Sequence, residues 1–441
     1  MFTIHKRVES MESEGFLRQR FSRLIGFLRK EFAFITGNYQ ILVVSWVIMD
    51  LAMEMPNPNF QTYVVNVLQG PDLALGIIGF ANFIAMAAVA FPGGYLADKF
   101  GRRWLITTMT FGMALSWLFF ALAPTWHFIL LGSIVSSLCL IYQPALFAMV
   151  QDSLPPERRG MGSSIIQLIH GAFNTPGPII AGFLLLQFGL EGSMRIIYLI
   201  MTALFLIAAV WRLRLKETIT GDPIRFRYFV SSYPKAIRES LNVWKKVPRS
   251  MFWLFMTQIF VMFGMALTQV INQLYALQVL GITLDQWWLV FIPLLLTMVF
   301  ASIPIGKIVD KFGRKIPLVF GVLVFGAATI IFTIGDLLTV MFSMVLFGVA
   351  QLLVMSAAMA LSTDLVHPSN RGKVVGFRNF VGYIVMGCGM LLGDILFTAG
   401  TRIGIPQLPF YTTLGLVIPE LLIVLLLVHE PEERVGALGS N

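Results

Sequence analysis

Charge is scarce in this chain: Asp, Glu, Lys and Arg together supply only 12% of 441 residues, against 57% apolar. A water-facing globule carries about twice that charged share, so a soluble domain is excluded. Only two cysteines occur, Cys139 and Cys388, both inside apolar runs and without metal-ligand spacing, which leaves them as small packing residues. No GxxxxGK[ST] phosphate loop is present, so ATP-driven pumping has no apparatus here, and HExxH, GxSxG and CxxC are missing too. The chain therefore reads as a non-enzyme without metal or cofactor. A cleavable leader is not expected either, because the first 38 residues are charged and the first apolar run is too long for one.

Long apolar runs are abundant. Crossing a bilayer core takes about 20 helical residues, and twelve stretches qualify: 39–68, 74–95, 104–123, 126–150, 161–187, 193–213, 251–280, 285–306, 315–335, 338–362, 373–398 and 405–428. An even count puts both termini on one side. Of the 32 Lys and Arg, only Arg195 and Arg402 fall in loops of the opposite side, so the positive-inside rule makes the terminal side cytoplasmic. The net charge of +9 is thus a topology signal; its spread over many short loops argues against nucleic acid.

A repeat organises these spans. GYLADKFGRR at 94–103 returns as GKIVDKFGRK at 306–315, an offset of 212 residues. At the same offset Asp152, Pro156, Arg159 and Gly160 return as Asp364, Pro368, Arg371 and Gly372, while Gln61 and Tyr63 return as Gln273 and Tyr275. A tandem repeat in one orientation predicts two halves related by an axis along the membrane normal. The expected fold is an all-α membrane protein of twelve transmembrane helices in two six-helix halves. Its parts are an N-terminal segment 1–38, a first half 39–213, a cytoplasmic linker 214–250, a second half 251–429 and a tail 430–441. Leu17, Phe21, Leu24 and Leu28 share one helical face in the N-terminal segment, which suits either the inner leaflet or the protein's own cytoplasmic surface. Ile237, Leu241 and Trp244 suggest a short amphipathic helix in the linker.

The doubled loop, together with the doubled D-x-x-x-P-x-x-R-G after spans four and ten, resembles the signature of the major facilitator superfamily over nearly the whole chain. The resemblance implies a secondary carrier in which spans one, four, seven and ten line a central cavity. It also implies that Asp98, Arg102 and Asp152, with their twins Asp310, Arg314 and Asp364, form charge clusters that latch the halves. Gly94 and Gly306 are expected to allow close helix contact, and Arg159 and Arg371 to complete the conformational gate.

Span one holds the most unusual chemistry. Asp50 and Glu54 stand four residues apart on one helix face, about 17 Å into the span, with no Lys or Arg in it. Intramembrane carboxylates mark function by default. Pro56 and Pro58 follow and predict a bent or unwound helix, as transporter sites often use. At the matched positions of span seven stand Met262 and Ala266, so the acids belong to one half only. Gln61, Tyr63, Gln273 and Tyr275 are expected near the same cavity, and His170 in span five is a second candidate proton carrier. Gly177-Pro178-x-x-Ala181-Gly182 resembles half of the drug:proton antiporter motif, although Phe173 stands where its first glycine belongs. The sugar-porter ending PESPR after span six is absent, LRLKET standing there.

The acidic mid-membrane inventory favours cationic or neutral cargo. The reading is a monomeric, multi-pass plasma-membrane carrier that exports lipophilic, often cationic compounds in exchange for protons, with sodium an open alternative. A proton symporter for a neutral or cationic nutrient, a passive facilitator and a transporter-like sensor also stay open. Asp394 and Glu420 are further acids within spans, Glu420 being expected to make a local hydrogen bond.

Overall fold

The computed structural model describes residues 32–90, 101–155, 176–218, 247–366 and 371–430, with scattered positions between 158 and 169 and between 234 and 244. The side chains of Asp310, Thr363 and residues 371–373 are outside that description. Regular structure among the described residues is helical throughout. The α-helices are α1 Gly37–Met53, α2 Phe60–Thr62, α3 Ala74–Ala90, α4 Arg102–Ala121, α5 Trp126–Cys139, α6 Gln143–Asp152 and α7 Pro176–Arg212. They continue as α8 Arg249–Gln269, α9 Asn272–Gln278, α10 Leu284–Trp287, α11 Phe291–Phe312, α12 Lys315–Ile334, α13 Leu337–Leu365, α14 Arg371–Arg402 and α15 Leu408–Leu427.

In lipid every backbone group must be bonded within the protein, so apolar runs become helices. Nine described helical runs are long and apolar enough to cross a bilayer, and α1 and α3 are shorter apolar helices. The run α7 takes in the end of expected span five and all of span six. It is broken at Gly189, whose φ of 68° and ψ of −179° glycine adopts without a Cβ penalty. Expected spans one and seven are each interrupted rather than continuous, as described below.

Outward-facing side chains such as Phe300, Ile303, Ile334 and Leu338 are large, apolar and exposed, as a lipid-facing surface requires. The interior divides unequally. At the end of the bundle away from the termini, one apolar cluster draws on both halves, including Met55, Tyr63, Tyr198, Ile271, Tyr275 and Phe397. Toward the termini the core splits in two, one cluster around Leu42, Met149 and Phe205, the other around Leu254, Val322 and Leu361. The halves are therefore welded at the far end and separately packed at the terminal end.

Small residues set the close approaches. A Cβ on Gly112 would collide with Cys139 Sγ, which fits Cys139 as a packing residue. Trp244 of the linker lies on Phe255 and Phe377, at ring centroid distances of 4.6 and 5.4 Å, so its apolar face docks on the second half. Ile237, Leu241 and residues 1–31, with the apolar face at Leu17, Phe21, Leu24 and Leu28, lie outside the described residues. In the loop before α13, Asp336 caps the helix by accepting from Thr339 N at 3.0 Å and Thr339 Oγ1 at 2.7 Å. Those bonds from the Thr339 side chain and amide hold its carboxyl below the usual range.

Candidate functional site

The first apolar span is interrupted where its prolines stand. Helix α1 ends at Met53, Glu54 caps it, and helical structure resumes only at Phe60, passing into a π-helical turn over Tyr63–Val67. Asp50 sits one turn before the break and is 6% exposed, while Glu54 is only partly buried and accepts a hydrogen bond from Asn57 Nδ2. Asn59 inside the break is fully buried, and neither atom of its amide has a hydrogen-bond partner. Buried polar atoms of this kind are costly and concentrate at sites that hold water, ions or ligands.

Span seven is interrupted at the matching place, between Gln269 and Asn272, without any proline. The two breaks share their packing. A Cβ on Gly177 would lie 3.0 Å from Met55 N and 3.1 Å from the backbone of Glu54. At the offset of 212, Gly389 takes the place of Gly177 and a Cβ there would lie 2.7 Å from Ala266, the partner of Glu54. The antiporter-like glycine thus lets a helix lie directly against the break.

The glutamine and tyrosine pairs occupy that same level. Gln61 Nε2 donates to Gln269 O at 2.8 Å, and its Oε1 accepts from Gln273 N at 3.0 Å. Gln273 in turn donates from Nε2 to Pro58 O at 2.6 Å and accepts at Oε1 from Thr62 N at 3.1 Å. Each amide satisfies orphan backbone groups of the other half's break. Tyr275 OH donates to Thr333 O at 2.8 Å, whereas Tyr63 OH is buried without a partner beside Tyr198.

At the terminal end the two charge pairs form. Arg102 Nη1 contacts Asp152 Oδ2, and Arg314 Nε lies 3.5 Å from Asp364 Oδ2. Gly94, Asp98, Arg159 and His170 lie outside the described residues, as do the side chains of Asp310 and Arg371. Among the described residues, a Cβ at Gly306 would meet no atom within 4 Å.

The sequence pattern of the Major Facilitator Superfamily matches residues 42–296 and again residues 254–440. The chain belongs to that superfamily. It is a multi-pass membrane transporter of the secondary type. It is similar to the multidrug resistance protein MdtH of Photorhabdus laumondii, with 23% identity over 379 residues, 85% of this chain and 90% of the relative. Multidrug resistance protein 1 of Bacillus subtilis is 28% identical over 143 residues, 32% of this chain and 35% of the relative. Among solved structures, a bacterial homologue of the human lysosomal transporter Spinster, inward-facing and occupied, superposes with a TM-score of 0.69 at 16% identity, covering 89% of this chain and 96% of the other. The nucleoside transporter NupG superposes with a TM-score of 0.67 at 15% identity, covering 88% and 98%.

Within this superfamily member two functional features had no sequence signal of their own. Glu217 of LRLKET accepts from the amides of Arg102 and Arg103 at 3.0 Å each, and Glu430 accepts from those of Arg314 and Lys315 at 2.7 and 2.6 Å. Each signature loop thus hands its helix start to an acid lying just past spans six and twelve, a charge the helix dipole favours. Gly101 and Gly313, at φ of 91° and 83°, make the turn and leave room for the carboxylates. The second feature is Arg212, fully buried, donating to Ser45 Oγ at 2.9 Å and Thr110 Oγ1 at 2.8 Å, with Tyr142 5.5 Å from its guanidinium. It ties four helices of the first half together. The expected local bond at Glu420 is not seen for Oε1, which is buried and unpartnered in apolar surroundings beside Pro419.

Proposed function

We propose that this transporter exports lipophilic, often cationic, small molecules in exchange for protons, by alternating exposure of a cavity between two six-helix halves. The observation that carries the reading is the acid pair at the interrupted first span: Asp50 buried, Glu54 at the break, and Met262 and Ala266 in their places in the other half. The two carboxyls share one helix face at the break, and each proton one of them takes up neutralises a charge that otherwise holds a cation. His170 is proposed as a secondary proton carrier. The charge pairs Arg102–Asp152 and Arg314–Asp364 serve as conformational latches, together with Asp98, Asp310, Arg159 and Arg371.

Twelve spans, pseudo-two-fold halves at 39–213 and 251–429, cytoplasmic termini and a plasma-membrane location complete the proposal. The similarity to multidrug resistance proteins supports export over nutrient uptake. A sodium site formed by Asp50, the freed carbonyls of the break and Asn57 or Asn59 is the rival, since hard cations take oxygen ligands. Inverted membrane vesicles loaded with a pH gradient, acid inside, test the reading: ethidium should accumulate in them and discharge when the gradient is collapsed. Accumulation that follows sodium instead, or none with any lipophilic cation, contradicts it.

A further inference from the structure

The far-end weld between the halves has two lateral seams, and they differ in kind. In one, helix α14 of the second half lies along α3 of the first. Met390 packs on Gly79, Asp394 on Gly76, and Thr398 and Arg402 reach Asp72, the last through an ion pair of 3.1 Å. Asp394 is 1% exposed, and its Oδ2 accepts from Gly76 N at 2.6 Å. Gly76 is the third residue of α3, so its amide is one of the four at a helix start that have no acceptor within their own helix. A carboxylate of the other half supplies one.

Glycine is required at 76 by this contact. A Cβ there would stand 2.8 Å from Asp394 Cβ, 3.0 Å from Oδ2 and 3.1 Å from Leu391 Cα. On the other side of α14, a Cβ at Gly393 would collide with Leu267 O, which fixes α14 against its own half. Asp394 is therefore held on a rigid element and aimed at a partner in the opposite half.

The repeat supplies the comparison. Subtracting 212 from Asp394 gives Gly182, and adding 212 to Gly76 gives Trp288. These two also meet across the halves, the Trp288 indole lying where a Cβ on Gly182 would be. One seam is closed by a carboxylate on a helix start, the other by an aromatic ring on a glycine.

We propose that Asp394 is the charged latch of the far-end gate, closing the α3–α14 seam by capping α3, while the Gly182–Trp288 seam is an apolar hinge indifferent to charge. The proposal rests on the alternating-access reading. A carboxylate bonded to a helix-start amide is held about twice as strongly as a neutral acceptor, and the helix dipole adds to it. Opening the far end separates Asp394 from α3 and returns both to water, so the latch stabilises only the closed state. Removing the charge at constant shape should then shift the conformational balance without dismantling either half.

The test is a distance measurement between spin labels at positions 66 and 403, exposed in the two halves at the far end, in protein with Cys139 and Cys388 replaced by serine. Asp394→Asn should raise the ratio of far-open to far-closed molecules about tenfold, the shift that 1.4 kcal/mol corresponds to. Gly76→Ala should do the same from the other side of the contact, and the double variant should exceed neither single by more than about twofold, since both break one interaction. Asp394→Ser provides a second uncharged acceptor if the asparagine variant does not fold. Unchanged populations in Asp394→Asn and Gly76→Ala, or fully additive shifts, overturn the latch and leave alternating access standing. A single far-closed distance in the parent and in every variant contradicts alternating access itself, and the latch with it.

Discussion

Gln61 and Gln273, 212 residues apart, each accept a hydrogen bond from the backbone of the other half and donate one back, closing the far end. Each side chain takes the place of a backbone partner that the interrupted spans have lost. The clasp is therefore possible only because both spans are broken at the same level.

This contact predicts an opening phenotype. Gln61→Ala removes bonds to Gln269 O and Gln273 N, and at a net ~1 kcal/mol per bond it should favour the far-open state by about 2 kcal/mol. Met55, now buried, is the reporter: alkylation of Met55→Cys in a background without the native cysteines should accelerate roughly 10- to 30-fold. An unchanged rate would show that the glutamines do not hold the gate.

The signature loops make a second prediction. Glu217→Ala strips two amide bonds from the start of α4, and loss of a cap of this kind costs about 1 kcal/mol. Glu430→Ala should do the same at α12, while Glu217→Gln, which keeps an acceptor, should retain most of the stability. Melting midpoints of the purified variants check the order; equal midpoints for alanine and glutamine would refute capping by the carboxylate.

Arg212 gives a third. Truncation to alanine leaves the hydroxyl of Thr110 without its donor and opens a cavity among four helices, an expected loss of about 3 kcal/mol. Arg212→Lys should recover little, because a single ammonium cannot span both hydroxyls as the planar fork does. Thermal unfolding in detergent measures it, and a lysine variant as stable as the parent would contradict the geometry.

Much of this was legible from residue spacing. The 212-residue repeat predicted paired loops, and within the clusters the resemblance implied, Arg102 meets Asp152 and Arg314 meets Asp364, while Asp98 and the Asp310 side chain lie outside the described residues. Pro56 and Pro58 announced the break in span one, but its counterpart at 270–271 has no proline, so only packing reveals it. The repeat singled out Gln61 and Gln273 without saying what they face, since matched positions of a repeat can meet each other or a ligand. Arg212 carries no sequence signal of its own; its burial depends on Ser45 and Thr110 in helices far away along the chain. Glu217 was hidden for the same reason, 115 residues from the amide it caps.

The central claim is that Asp50 and Glu54 couple cargo movement to protons. It is tested most directly in proteoliposomes containing the parent and the Asp50→Asn, Glu54→Gln double variant, following efflux of one lipophilic cation while a pH gradient is imposed or collapsed. The account predicts cation accumulation against its gradient by the parent, and exchange in the double variant that runs only downhill and ignores pH. Full pH-driven accumulation by the double variant, or a strict sodium requirement in the parent, would contradict it.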